Sequence, residues 1–317
     1  MAKNIFFKRT ATILSETVKT FMDNNGLKLS ASLAYYTLFS MAPLLLLVIS
    51  LAGAFFGREA IEGNVFGELN GLIGNEAAAQ IQQIIKNMEL SGDTAFSLII
   101  GAISLIIGAT TVFGDIQDSV NKIWSVKAKP KKGWLKLLKN RLLSGSIIIG
   151  LGFLLIVTLI VNGAVSALDY LVKGWLPDFS VVILMILTAL VNFLVLVLLF
   201  GVIYKVLPDA KIKWRDVRAG ALFTAALFML GRYVIGIYID KADVGSPYGA
   251  AGSLVIILIW VYYSASILYI SASFTKVYAA AKGENIEPSD HAVYIEEKEV
   301  EIENTSVLND VEQQKEH

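Results

Sequence analysis

The run from Tyr248 to Ala279, YGAAGSLVIILIWVYYSASILYISASFTKVYA, constrains the fold more than any other stretch of the chain. It carries a single charge, Lys276, and is longer than the roughly 20 residues a helix needs to cross a bilayer. Lipid offers no partner to backbone N–H and C=O groups, so such a segment must satisfy them internally as a helix. It is entered through the small-residue turn Tyr248-Gly249-Ala250-Ala251-Gly252. It carries two small triplets, Ser264-Ala265-Ser266 and Ser271-Ala272-Ser273, seven residues apart. That spacing puts both on one helix face. Small residues let a neighbouring helix approach closely, so Ser264, Ser266, Ser271 and Ser273 mark a packing face. Lys276 and Tyr278 suit the headgroup layer.

Composition excludes several chemistries. Charged residues are 17% of the chain, against about 25% for soluble domains, and hydrophobic residues are 55%. There is no cysteine, so no disulfide or thiolate metal site forms. Both histidines, His291 and His317, lie in the polar C-terminal tail, leaving no His-based metal site or catalytic base in the apolar body. The first strong apolar run begins near Leu29, too deep and too long for a cleaved signal peptide.

In residues 4–24, Ile13, Leu14, Val18, Phe21 and Met22 recur at helical spacing among charges. This is an amphipathic helix, lying on the membrane surface or packed on the protein's own cytoplasmic side. Asn24-Asn25-Gly26 ends it, since Asn and Gly accept a left-handed cap. The charge-free run from Leu29 to Gly57 is the first span, with Pro43 in its middle. Proline removes a ladder bond and displaces the Phe39 carbonyl, producing either a polar notch beside Thr37 and Ser40 or a kink of shape alone. Residues 58–93 hold two short amphipathic patterns and six acids, Glu59, Glu62, Glu68, Glu76, Glu89 and Asp93, as in an external cap. The second span is Thr94–Gly114, its pattern continuing through Ile116, Val120, Ile123 and Trp124.

Lys122, Lys127, Lys129, Lys131, Lys132, Lys136, Lys139 and Arg141 follow without an acid between them. The positive-inside rule makes this loop cytoplasmic. Its core, Lys127, Lys129, Lys131 and Lys132, is either a topology signal alone or a patch for anionic lipid headgroups. Further spans cover Leu142–Leu168, Phe179–Tyr204 with Asn192 near its centre, and Val217–Ile239. A second basic loop, Lys205 to Arg218, falls on the same side as the first. The tail from Gly283 is acidic and aperiodic, as in disordered segments.

The expected fold is therefore all-α: a polytopic membrane protein with six transmembrane helices at about 29–57, 94–114, 142–168, 179–204, 217–239 and 250–277. An N-terminal amphipathic surface helix precedes them, and external amphipathic helices lie between spans one and two. Residues 1–280 form the membrane domain, and 281–317 an acidic, disordered cytoplasmic tail. Both termini are expected in the cytoplasm.

Three motifs resemble a known family. They are the YG-x-x-G entry with the tryptophan, small residues and FTKVYA that follow it, Ala31-Ser32-Leu33-Ala34-Tyr35-Tyr36-Thr37-Leu38-Phe39-Ser40-Met41-Ala42-Pro43, and Gly231-Arg232-Tyr233 with Tyr238. Together they resemble the YihY/BrkB family of bacterial inner-membrane proteins over residues 5–280. One position departs: such proteins usually read G-A-E-F where this chain has Ser271-Ala272-Ser273-Phe274, so no carboxylate role passes to Ser273. The resemblance implies a bacterial inner-membrane location and an envelope role in lipid or lipopolysaccharide handling.

The family was once labelled a ribonuclease. This chain lacks the cluster of His and acidic ligands for metal-assisted phosphodiester cleavage, and shows no phosphate loop or paired carboxylates at membrane depth. No enzyme activity, cofactor, metal or nucleic-acid partner is expected. The expected function is a transporter or flippase-like handler of a lipid or other amphiphilic anion, with membrane lipids as partners. The alternative is a non-transporting scaffold that organises envelope enzymes. Arg232 is the one charge well inside a span, where it costs about 3 kcal/mol unless paired or wetted. It either snorkels toward Asp240 or faces a cavity lined by Tyr233, Tyr35, Tyr36 and Ser40, positions that the resemblance carries together, with Pro43 and Asn192 as further candidates.

Overall fold

The computed structural model describes residues 2–56, 63, 66–67, 70, 78–83, 95–129, 180–242 and 246–296. Six long helices dominate them. They are α1 (Ala2–Asp23), α2 (Gly26–Phe56), α3 (Ala95–Ile123), α4 (Ser180–Val206), α5 (Trp214–Ala242) and α6 (Gly252–Ala281). A 3-10 turn, Ser246–Ala251, leads into α6. Within them, the segments Ile186–Val206, Trp214–Ile239 and Leu254–Ala281 are long and apolar enough to cross a membrane. The expected third span, 142–168, and the basic residues Lys131 and Lys132 lie outside the described residues. Of the expected cap at 58–93, positions 63, 66, 67, 70 and 78–83 are described and are helical.

The opening run of the sequence analysis, α6, is the hub. It packs against α1, α2, α3 and α5, while α4 pairs with α5 and α2 with α3. Small residues make this closeness feasible. Ala265, Ala272 and Ser271 are buried, and Ser273 is fully enclosed with its hydroxyl donating to the Tyr269 carbonyl at 3.0 Å. Ser264 and Ser266 are half-buried and donate to Trp260 and Tyr262 carbonyls of their own helix. Two glycines of α5 receive side chains of α6. A β-carbon on Gly220 would lie 2.0 Å from Thr275 Oγ1, and one on Gly231 would lie 1.1 Å from Tyr263 Oη. They are eleven residues apart, about three turns, so they share the α5 face turned to α6.

The helices alternate in direction. The start of α2, the ends of α3, α4 and α6, and the start of α5 meet at one end, called here the polar end. Ser32 of α2 reaches Asp115 of α3, Lys276 of α6 reaches Ile123 of α3, and Asn121 of α3 reaches Asp209 after α4. Trp124, Tyr204 and Tyr269 fill the core just inside this end, all essentially without solvent exposure. Their polar atoms are satisfied. Trp124 Nε1 donates to the Ala272 carbonyl at 3.0 Å, and Tyr204 Oη donates to the Leu268 carbonyl at 2.8 Å.

α1 ends as its sequence requires. Asn25 takes a left-handed φ of 56°, and a β-carbon on Gly26 would sit 2.2 Å from the Phe21 ring. One side of this helix packs on the protein: Thr17 and Phe21 are buried, and α1 lies against α6.

The tail differs from expectation. Residues 284–296, expected to be disordered, fold back on the polar end. β3 (Glu287–Pro288) pairs antiparallel with β2 (Ala210–Lys211), and β4 (Ala292–Tyr294) with β1 (Val126–Ala128). Ladders of two or three residues leave no periodicity to read. Their stability comes from long-range side-chain anchors, above all at Asp209.

Candidate functional site

The most heavily bonded side chain of the polar end is Asp209, in the turn between α4 and α5. Its Oδ2 accepts from Gln117 Nε2 and Asn121 Nδ2, both at 2.9 Å, and its Oδ1 lies 2.8 Å from His291 Nε2. Its own N–H donates to Asn121 Oδ1 at 2.8 Å, and its carbonyl accepts from Ser289 N at 2.9 Å. One buried carboxylate thus fastens α3, the α4–α5 turn and the tail together. Gln117 and Asn121 stand four apart on one face of α3 and share this acceptor. Neither Asp209 nor its amide partners stood out in the sequence. Asn121 reads as lying off the apolar stripe of α3, and the acceptor that buries it lies 88 residues away.

Nearby polar groups complete the end. Asp115 accepts from Ser32 Oγ at 2.9 Å and lies 3.5 Å from Tyr269 Oη. Lys276, read as a headgroup anchor, instead donates to the Ile123 carbonyl at 2.8 Å and to Ser125 Oγ at 2.9 Å. It thereby caps the end of α3, where a cation meets unsatisfied carbonyls and the negative end of the helix dipole. Glu284 of the tail bridges Lys213 at 3.1 Å and Arg215 at 2.6 Å. Those two cations hold its carboxyl below the ordinary value of 4.5, the Lys213 hydrogen bond contributing most.

Arg232 sits elsewhere. Eighteen residues beyond Trp214, it is about 27 Å along α5 from the polar end. Its side chain is exposed, and it has no hydrogen-bond or ion-pair partner among the described residues. Around it Tyr233 is 67% exposed, with Leu230, Val234, Ile237 and Tyr238 also outward. The side chain of Asp240 lies outside the described residues.

Of the other sequence candidates, Tyr35 and Tyr36 are exposed on α2 beside Phe39, Ser40 is buried, and Asn192 is half-buried on α4. Ser40 packs tightly on α3: a β-carbon on Gly108 would be 3.0 Å from its hydroxyl. Pro43 is in α2, but its side chain is outside the described set. α2 packs on α3 and α6, and α5 on α4 and α6, so the tyrosines and Arg232 are carried by helices that share α6 as a neighbour. The structure does not bring Tyr35 and Tyr36 to Arg232. Lys127 and Lys129 are exposed on and after β1. No group of three or more metal-ligating side chains occurs among the described residues.

Long apolar helices round a small-residue hub, with a bonded polar end, define a helical integral membrane protein. The family follows from comparison: a profile of Virulence factor BrkB matches residues 17–294, and the chain belongs to that family. It is similar to a UPF0761 membrane protein of Mannheimia succiniciproducens, at 25% identity over 81% of this chain and 86% of that protein. A UPF0761 membrane protein of Tolumonas auensis is 28% identical over 78% of each chain. A third, from Psychrobacter sp. (strain PRwf-1), is 23% identical over 81% of this chain but only 46% of its own length. No solved structure matches.

Proposed function

We propose that this chain is a six-span protein of a bacterial inner membrane that binds and moves a lipid or other amphiphilic anion, with Arg232 as the anion contact. The carrying observation is the outward guanidinium, without a partner among the described residues, about 27 Å along a membrane-length helix. In hydrocarbon a lone Arg costs about 3 kcal/mol or more, so a compensating anion or water belongs there. A guanidinium offers phosphate a planar fork of donors that an ammonium lacks. Tyr233 is exposed beside Arg232, and Tyr238, about 9 Å further along the helix, gives the headgroup level an amphipathic ring.

The six-span topology is supported by where the described pieces stop. Phe56 and Ala95 end and begin helices away from the polar end, whereas Lys129 lies at the polar end and Ser180 away from it. Cytoplasmic termini follow from the lysine asymmetry. Reporters fused after Lys132 and after Glu76 should then report opposite sides, and the same side for both contradicts the topology.

A second reading has its own support. The core behind the polar end is closed by Trp124, Tyr204 and Tyr269, as in a scaffold that moves nothing. Rescue of an envelope defect separates the two. The handler reading expects Arg232→Lys to impair rescue and Arg232→Leu to abolish it at unchanged expression and melting. Full rescue by Arg232→Leu favours the scaffold.

A further inference from the structure

Where α1 crosses the last turns of α6, the two helices leave a groove of about 350 Å³. Ile13 and Leu14 line it from α1, Phe274 and Tyr278 from α6, and Arg9 and Lys282 supply two cations. Arg9 Nη2 donates to the Ala281 carbonyl at 2.7 Å, which leaves the other donors of its guanidinium available. Lys282 stands 4.0 Å over the Tyr278 ring and donates to its hydroxyl. Phe274 stacks on Tyr278, so the apolar wall is continuous. The groove lies at the end of the apolar segment Leu254–Ala281, which is headgroup depth if that segment crosses the bilayer.

Its apolar character continues outside. Leu14, Val18 and Met22 are 43%, 51% and 54% exposed. They are spaced four apart and form one stripe along α1. The adjoining face of α1, at Thr17 and Phe21, is buried against the protein. A soluble anion would use the cations and ignore the stripe. An apolar partner would use the stripe and ignore the cations. Only a molecule with a negative head and a long apolar chain uses both. Among the described residues no carboxylate lines the groove. The C-terminal dipole of α6, equivalent to about half a negative charge, opposes such a head, as does Asp216, which Lys282 also faces; Arg9 and Lys282 supply the attraction.

We propose that this groove binds an anionic phospholipid from the leaflet at the polar end. The headgroup phosphate lies against Arg9 and Lys282, and an acyl chain runs along Ile13, Leu14 and Phe274. The site is separate from the Arg232 face: Tyr263, which meets Gly231 beside Arg232, is about 27 Å along α6 from Ala281. It stands or falls independently of the handler reading.

Native mass spectrometry of the full chain in neutral detergent tests it, with dioleoyl phosphatidylglycerol, dioleoyl phosphatidylcholine and sn-glycerol 3-phosphate as probes. The first phosphatidylglycerol should bind more tightly than phosphatidylcholine, and glycerol phosphate should not compete with it. Arg9→Gln/Lys282→Gln should weaken that binding roughly thirtyfold, at about a kcal/mol per cation, and leave phosphatidylcholine unchanged. Lys282 is fully on the surface, so Lys282→Gln alone provides a folded variant, with a loss of roughly fivefold. Equal binding of the two lipids, or unchanged phosphatidylglycerol binding in both variants, overturns the proposal. Equal competition by glycerol phosphate also overturns it, by showing a soluble-anion site.

Discussion

Replacing Asp209 tests the polar end at its most connected atom pair. Asp209→Ala removes an acceptor shared by two buried amides, Gln117 Nε2 and Asn121 Nδ2, and the partner of His291. A buried donor left without a partner costs about 1–3 kcal/mol. Two such donors, with relaxation around the vacated space, give a loss of roughly 3 kcal/mol. Asp209→Asn has a different expected outcome. Its amide oxygen can still accept from Gln117 and Asn121 while its NH2 faces His291, so the loss should stay near 1 kcal/mol. Thermal unfolding in detergent ranks the variants, and hydrogen exchange locates the effect. In Asp209→Ala, amides of β3 and β4 should lose protection before any transmembrane helix does. The reasoning is refuted if Asp209→Ala melts like the parent with protected tail amides, or if Asn and Ala are equally damaging.

The two α5 glycines make a contrasting pair. Gly220→Ala drives a methyl toward the fully buried, β-branched Thr275 and should destabilise by about 1–3 kcal/mol, with Thr275→Ala restoring part of the loss. Gly231→Ala meets the Tyr263 hydroxyl and, at 2.4 Å, its ring Cζ, so Tyr263→Phe in the same chain should relieve only part of the cost and Tyr263→Leu more; melting points of the double variants decide both. Acidification should loosen the tail at Glu284. Its carboxyl is held below 4.5, so its contribution is complete above that value and fades as pH falls through the lower folded one. The flanking Lys213, Arg215, Asp216 and Lys282 complete that charge cluster, and a Glu284→Gln variant should show no such step in tail proteolysis at acidic pH.

What the sequence made legible were the features set by long apolar periodicity. The existence of α1 to α6, the Asn25–Gly26 stop and the packing role of Ser271 and Ser273 all follow from local spacing. The features it hid depend on pairings across the chain. Gln117 and Asn121 are ordinary amides until Asp209 arrives from the α4–α5 turn. Lys276 has the spacing of an interfacial anchor, and only the approach of α3 makes it a cap for Ile123. The tail reads as solvated because β3 and β4 are too short for any period, and their partners precede them by tens of residues. Tyr35, Tyr36 and Arg232 look like one set along the chain, but they sit on two helices whose main common neighbour is α6.

The claim that the Arg232 face engages an anionic amphiphile is tested most directly by crosslinking at its neighbour. A photoreactive phenylalanine analogue replaces the exposed Tyr233, the chain is irradiated in its native membrane, and the adducts are identified by mass spectrometry. Acidic lipid should be enriched among the adducts relative to the bilayer. A charge-assisted contact of about 1.5–3 kcal/mol corresponds to an enrichment of roughly tenfold or more. Arg232→Leu should abolish it, while Arg9→Gln/Lys282→Gln leaves it intact. Adducts in bilayer proportion, unchanged by Arg232→Leu, would contradict the claim.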